Sequence, residues 1–350
     1  MQKSVIIQVP EKILIIRLSS IGDILLTTPV IRLLKQKFSD SKIDFVIKKE
    51  FAELLIYHPG IHQLYIFNKN GNFKVLKDIK QRIKNEKYDL IVDFHKNFRS
   101  FYLTKFSRAK RVIRYKKGVI RRFLSVKFKL NLYREIIPIY LRYLNCLKPF
   151  QIFYDDQGLN LFFNDEKGKR IFNKYSQFLK VPESPIIGIA PGAKHATKRW
   201  IPEGFSAVIN YLTDKKKSKI IIFGSRADQE IVQSLDIENH QCILDATGRL
   251  SLLESAILMN HCDLVLTNDS GLMHLASALK KKVVAIFGST TEELGFFPYT
   301  TEHIVIQNNN LCCRPCSHVG RKKCPKGHFK CMKEITAEQV ISAVEELLGK

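Results

Sequence analysis

The pattern that most narrows the fold lies at residues 261–289. An apolar run, 264–266, leads into the polar turn Asn268-Asp269-Ser270-Gly271. A short Ala- and Leu-rich helical stretch follows, and a second apolar run, 283–287, ends in another Gly-Ser turn. Strand, loop, helix, strand, loop is a βαβ unit, and its two loops lie at the same edge of a parallel sheet. Open α/β sheets bind ligands at that edge, outside the carboxyl ends of their strands. Asp269, Ser270, Gly271 and His274 therefore stand where a ligand would sit. The plainer alternatives are that Asp269 caps a helix with Gly271 making the turn, and that His274 is a core histidine.

A chain of 350 residues is too long for one ordinary core, which predicts two domains. No apolar run approaches the ~20 residues needed to span a bilayer. Residues 13–16 are closed at once by Arg17, so there is no signal-peptide pattern, and the expectation is a cytoplasmic protein. The net charge of +24 is uneven. Residues 1–182 hold 37 Lys and Arg against 15 Asp and Glu, whereas residues 183–350 hold 20 against 18. Residues 94–134 carry fourteen basic residues, no acid and nine interleaved aromatics. Such a stretch reads as a nucleic-acid surface, an anionic membrane surface or a set of solvated lysine-rich faces. The last reading leaves the nearly neutral second half unexplained.

Apolar strands alternate with helices along both halves. In the first half, strands are expected at 12–18, 43–47, 64–67 and 90–93. Helices are expected at 24–38, 51–57, 75–85, 136–147 and 166–179. A proline-bracketed linker at 181–185 separates the halves. The pattern then restarts with strands at 186–190 and 220–223 and helices at 202–212, 229–235 and 252–260. The βαβ unit comes next, and an amphipathic helix at 336–348 closes the chain. This gives a first domain over 1–182, a second over 183–332 and a terminal helix over 333–350.

The loop Pro191-Gly192-Ala193-Lys194-His195-Ala196-Thr197-Lys198-Arg199-Trp200 follows the first strand of the second half. Backbone N–H groups and the ammonium charges of Lys194 and Lys198, with Thr197 between them, suit a diphosphate. Near the end of the chain, Cys313-x2-Cys316 with Cys324 and Cys331 has the look of a zinc knuckle, although the second pair is spaced too widely. A structural zinc or no metal at all are both open. No Gly-x-Gly-x-x-Gly, Gly-x4-Gly-Lys-Ser/Thr or Gly-x-Ser-x-Gly motif is present, which argues against dehydrogenases, P-loop enzymes and α/β-hydrolases.

Several of these stretches carry a resemblance. Asn268-Asp269-Ser270-Gly271-x-x-His274-Leu275-Ala276 resembles the donor-site motif of the heptosyltransferases, glycosyltransferase family 9. Ser19-Ser20-Ile21-Gly22-Asp23 resembles the family's N-terminal motif. The resemblance implies a GT-B fold: two Rossmann-like, doubly wound α/β domains with a cleft between them, and a last helix that often returns to the first domain. Asp23 would be the catalytic base, with Ser20 and Gly22 in the acceptor loop, although its position also suits a helix N-cap. Lys198 would hold the donor phosphates. Asp228 or Glu230 would lie near the nucleotide ribose, Leu250 against the adenine, and Asp269 on the sugar hydroxyls.

The implied enzyme transfers heptose from ADP-heptose, with inversion, to the lipid A–Kdo inner core of lipopolysaccharide. No cofactor is required for that chemistry. Similar Cys/His segments occur in heptosyltransferase II-type members. The basic 94–134 segment would then meet the anionic inner face of the inner membrane, with no nucleic acid expected. Two rivals remain: a family member using another nucleotide-sugar or glycan acceptor, and a basic nucleic-acid-binding α/β protein.

Overall fold

A computed structural model describes residues 9–68, 72–180 and 184–349. Residues 181–183 of the expected linker lie outside that set. By contact, the chain forms two compact units, Met1–Lys117 with Ile139–Phe162, and Gly118–Pro138 with Phe163–Lys350.

The first unit carries β1 (Lys12–Ile16), β2 (Lys42–Lys48), β3 (Gln63–Phe67), β4 (Leu90–Asp93) and β5 (Arg111–Arg114). They form one parallel sheet in the order β3-β2-β1-β4-β5. Ile13, Leu14, Ile15 and Ile16 are all fully buried, because helices cover both faces of a parallel sheet and its central strands read as continuous apolar runs. The chain winds outward from β1 in both directions. The switch between β1 and β4 leaves an opening at their carboxyl ends, where such sheets bind ligands.

The expected helix over 24–38 is two helices, Ile21–Leu25 and Thr28–Lys37. Thr27 and Thr28 turn their hydroxyls back onto the carbonyls of Ile24 and Leu25, and Pro29 has no N–H to continue the ladder. The stretch expected as a helix at 51–57 is a 3-10 helix, Lys49–Leu54. That at 136–147 is a helix over Ile139–Leu144 running into a 3-10 segment with Pro149 inside it. The basic segment has structure of its own: a helix Phe98–Thr104, strand β5 and a helix Val119–Phe128.

The second unit carries β6 (Ile186–Ala190), β7 (Lys219–Ile222), β8 (Ile243–Asp245), β9 (Leu264–Asn268), β10 (Lys282–Phe287) and β11 (His303–Gln307). All pair in parallel in the order β11-β10-β9-β6-β7-β8. The short, half-buried β8 and β11 are edge strands with weak apolar signals, which is why the pattern missed them. The switch point lies between β6 and β9.

Two stretches sit elsewhere than expected, the first from the sequence pattern and the second from the resemblance. The stretch at 166–179, expected to end the first domain, is two helices, Asp165–Lys174 and Ser176–Leu179, held to the second unit. Phe172 packs on His261 at 5.6 Å, and the Phe178 carbonyl accepts from Lys219 Nζ at 2.6 Å. The last helix, Ala337–Leu348, stays in the second unit rather than returning to the first. Its Val340, Val344 and Leu347 join Phe205, Val208 and Ile209 in one core cluster. Burial at about 1.5–3 kcal/mol per large side chain gives it a complete partner there.

Candidate active site

In the second unit, the carboxyl ends of β6 and β9 bring the two strongest sequence motifs together. Asn268, fully buried at the end of β9, ties the neighbouring loop down. Its Nδ2 donates to the Pro191 carbonyl at 2.7 Å, and its Oδ1 accepts from the Trp200 N–H at 3.0 Å. Trp200 is itself buried and donates its indole N–H to the Ile335 carbonyl. The loop between these anchors therefore has little freedom. It delivers Lys198 Nζ to Asp269 Oδ2 at 2.6 Å, with only 15% and 6% of the two side chains exposed. Thr290, just past β10, donates its hydroxyl to the same oxygen at 2.6 Å. Asp269 Oδ1 has no hydrogen-bond partner among the described residues.

The helix cap belongs to Ser270, whose Oγ accepts from the Leu272 N–H at 3.2 Å, and Gly271 opens the helix Gly271–Ala278. Asp269 is thereby released from capping. His274 is 4% exposed and faces the edge of Phe296, which is the setting of a core histidine. Thr197 is buried with its hydroxyl engaged inside the chain: it donates to Ser289 Oγ and accepts from the Arg321 N–H. Lys194 is exposed at the loop tip.

The loop is electropositive. Burial lowers the pKa of His195, and the charges of Lys194, Lys198 and Arg199 lower it further. An anion is the natural complement of such a loop.

The remaining donor candidates follow β7 and β8, along the same sheet edge. Asp228 lies over Gly192, where any Cβ would overlap its carboxylate, and it is held in a capping box by the Ser225 N–H and hydroxyl at 2.8 and 2.7 Å. Glu230 is exposed, so Asp228 is the carboxylate facing the loop. Leu250 is half-buried just ahead of Ser251, the cap of the helix Leu252–Met259.

The cysteine segment docks onto this edge through Arg314, which the sequence reading passed over. Its Nε donates to the Gly288 carbonyl at 2.6 Å, its Nη1 to the Asn308 carbonyl, and its Nη2 to the Thr290 carbonyl at 2.8 Å and Gln307 Oε1 at 2.7 Å. Cys316 N–H donates to the Ser289 carbonyl, and Thr197 N–H donates to the Arg321 carbonyl. Thr290 is thus fixed from behind while its hydroxyl holds Asp269. Cys331 is buried and its thiol is pushed up to about 11 by burial and then by neighbouring thiols. Cys313 Sγ lies 3.8 Å from His328 Nε2. Among the described residues, no three His, Cys, Asp or Glu side chains are arranged to hold a metal ion. Cys313, Cys316, Cys324 and Cys331 nevertheless stand close enough for their thiols to act on one another electrostatically.

In the first unit, Asp23 lies at the carboxyl end of β1 in the helix Ile21–Leu25. Ser20 is the N-cap, and Asp23, three residues on, closes a capping box onto it: Oδ2 accepts from Ser20 Oγ at 3.0 Å and from Ser20 N–H at 3.3 Å. Gly22 is buried inside the turn. Oδ1 meets Arg17 Nη2 at 2.6 Å. Arg17 is locked by its other donors, Nε to the Ser19 carbonyl and Nη1 to the Phe94 carbonyl. Burial pushes the Asp23 carboxyl up, but the charge and hydrogen bonds of Arg17, with those of Ser20, outweigh it and hold the group below its ordinary value. The Tyr143 hydroxyl also bonds to Asp23, with its own pKa pushed well up by burial. His95, at the end of neighbouring β4, is kept neutral, its pKa lowered to about 3 by burial and by Arg17. Arg17 and Tyr143 had no motif signal; only folding brings them to Asp23.

The profile described as glycosyltransferase family 9 (heptosyltransferase) matches residues 76–326. Lipooligosaccharide heptosyltransferase 2 of Campylobacter jejuni is 26% identical over 94% of this chain and 95% of its own length. Lipopolysaccharide heptosyltransferase 3 of Escherichia coli is 29% identical over 93% of this chain and 95% of its own. Among solved structures, E. coli ADP-heptose lipopolysaccharide heptosyltransferase II superposes with a TM-score of 0.73 at 22% identity, covering 96% of this chain and 98% of that one. With two parallel α/β units, the fold is GT-B.

Proposed function

The chain belongs to glycosyltransferase family 9, and on that footing we propose that it transfers heptose from ADP-heptose to the inner core of lipopolysaccharide with inversion at the anomeric carbon. The observation that carries this reading is the Lys198–Asp269 pair at the β6/β9 switch point, set in an electropositive loop. A diphosphate supplies the anion that loop lacks. Asp269, freed from capping, offers an acceptor oxygen for sugar hydroxyls. The names of the curated relatives, both heptosyltransferases acting on lipopolysaccharide or lipooligosaccharide, support the sugar and the acceptor class. That of the E. coli structure supports the donor.

In the proposed step, an acceptor hydroxyl oxygen attacks the anomeric carbon as the bond from that carbon to the donor phosphate oxygen breaks. ADP leaves with the bonding electron pair, and Asp23 takes the hydroxyl proton. A single displacement inverts the centre. Arg17 keeps Asp23 ionised throughout the neutral range. The carboxylate is therefore always available but weakly basic, and it accepts the proton only once bond formation has acidified the hydroxyl. Lys198 and the N-terminal end of the helix Gly271–Ala278 meet the charge developing on the departing diphosphate. The acceptor, the lipid A–Kdo inner core, is an anionic glycolipid, which gives the basic first half its task at the cytoplasmic face of the inner membrane.

The test is ADP release from ADP-heptose in the presence of a truncated, phosphorylated inner-core acceptor, for wild type, Asp23→Asn and Lys198→Met. Acceptor-dependent release that both variants lose supports the reading. Release that persists in Asp23→Asn removes the base. Release only with a different nucleotide-sugar overturns the donor.

A further inference from the structure

The helix Val119–Phe128 is built inside out. Its one buried side chain is polar, Ser125; Arg122 Nε is shut off from solvent, and Leu124 and Val126 are only half-buried. Its outward positions are apolar: Ile120 is 75% exposed, Val119 61%, Phe128 57% and Phe123 56%. Val119, Ile120 and Phe123 fall on one face by helical spacing. Phe123 and Phe128 meet edge to face at 5.9 Å on the outer surface. In the irregular segment that follows, Leu130, Leu132 and Ile136 are exposed as well.

The orientation is held from behind. Lys129 Nζ donates to the Pro315 carbonyl at 2.7 Å, and Asn131 Nδ2 donates to Glu293 Oε1 at 3.0 Å. The polar side is thus tied to the second unit and the apolar side left outward. A contiguous exposed apolar surface of this kind marks an interaction site.

Charge selects the occupant. Residues 118–138 hold Arg121, Arg122, Lys127, Lys129 and Arg134 against the single acid Glu135. A second copy of a chain with net charge +24 is repelled electrostatically. Nucleic acid asks for free stacking platforms, whereas Phe123 and Phe128 pack edge to face on each other and Val119, Ile120, Leu130 and Leu132 are aliphatic. Apolar side chains flanked by arginine and lysine fit an anionic bilayer surface, where the first enter the acyl boundary and the second meet the headgroups. No helix among the described residues is long and apolar enough to cross a membrane, so a surface mode is the one this segment can use.

We infer that residues 118–138 dock the protein on an anionic lipid bilayer by inserting Val119, Ile120, Phe123 and Phe128. This deepens, and rests on, the reading that the acceptor is a membrane-embedded glycolipid. It narrows the basic 94–134 stretch to a single element. In the first-unit part of that stretch, Phe101 and Phe106 already carry Arg114 and Lys105 over their rings.

The experiment is flotation of the full chain with phosphatidylcholine vesicles, and with vesicles containing about one-third phosphatidylglycerol. Wild type floats with the anionic vesicles. Ile120→Ser/Phe123→Ser weakens that binding about tenfold or more, equivalent to about 1.4 kcal/mol. Arg121→Glu/Lys127→Glu weakens it in a salt-dependent way. With a lipid-free acceptor, ADP release by the serine variant equals wild type, which shows that the fold is intact. Equal binding to neutral vesicles, or binding that survives the serine changes, overturns the inference. So does salt-sensitive polynucleotide binding, or self-association, that the serine changes abolish. Vesicle binding without heptosyl transfer sinks the proposed reaction and leaves the surface standing. Transfer with unaltered vesicle binding by the serine variant does the reverse.

Discussion

Replacing Arg17 by Met is the sharpest test of how Asp23 is kept ready. Arg17 Nη2 and Asp23 Oδ1 are 2.6 Å apart, and the two side chains are only 10% and 19% exposed, so solvent screens the pair weakly. With charge centres near 4 Å and an effective dielectric of about 20, the attraction is about 4 kcal/mol. At 1.36 kcal/mol per unit, that bounds the pKa rise in the variant at about three units. The surviving Ser20 hydrogen bonds and residual exposure reduce it to about 1–3 units. Burial, the largest influence on Asp23, then acts unopposed by charge.

The assay is the pH dependence of kcat/KM for ADP release. In wild type the acid limb lies below the ordinary carboxylate range; in Arg17→Met it moves up by about 1–3 pH units. Arg17→Lys keeps the charge but loses the fork to Ser19 and Phe94, and its limb falls between the two. Stability follows the same sign. A carboxyl whose folded pKa is depressed stabilises the native state above its unfolded pKa, and that contribution disappears as pH falls through the folded value. In wild type the loss is confined to strongly acid pH. In Arg17→Met the folded pKa rises, so that contribution shrinks and its loss begins at higher pH. A folded Arg17→Met protein whose acid limb has not moved would refute the reasoning, because Asp23 would then not be the titrating base.

Three further outcomes are expected. Lys198→Met strands Asp269 in a buried site and lowers stability by about 3–5 kcal/mol in denaturant titration, whereas Lys198→Met/Asp269→Asn recovers most of that but not ADP release. Gly192→Ala drives a methyl into the Asp228 carboxylate, lowers stability by about 1–3 kcal/mol and raises donor KM with acceptor KM unchanged; adding Asp228→Ala restores stability, and additive losses in that double variant would reject the clash. Arg314→Lys cannot reach the carbonyls of Gly288, Asn308 and Thr290 together, so melting shows a loss of about 3 kcal/mol and donor KM rises through a loosened Thr290–Asp269 contact; unaltered donor KM would leave Arg314 a purely structural residue.

The loops that carry the candidate residues were legible because their signals are local. Asp23, Lys198 and Asp269 each lie in a strand-to-loop stretch with its own glycine and polar signature, and a parallel sheet puts such loops at one edge. Local bonds decide the alternative reading of Asp23 and Asp269 as helix N-caps: Ser20 and Ser270 stand at the N-cap positions instead, Ser270 accepting from the Leu272 N–H and Ser20 donating to Asp23. The helix over 24–38 broke at hydroxyls that periodicity does not see.

The sequence by itself determined two parallel α/β layers, the place of their loops and the family, because apolar runs and turn residues act over short range. Tertiary structure alone decided which partners each charge acquired: Arg17 and Tyr143 on Asp23, Thr290 and Arg314 behind Asp269, and Asp228 over Gly192. It also decided that the last helix stays with the second unit, and that the helix Val119–Phe128 turns its apolar side out. Except for Arg17, six residues ahead of Asp23, the pairings join groups tens to hundreds of residues apart in sequence, burial strengthens each of them, and no spacing along the chain encodes their meeting.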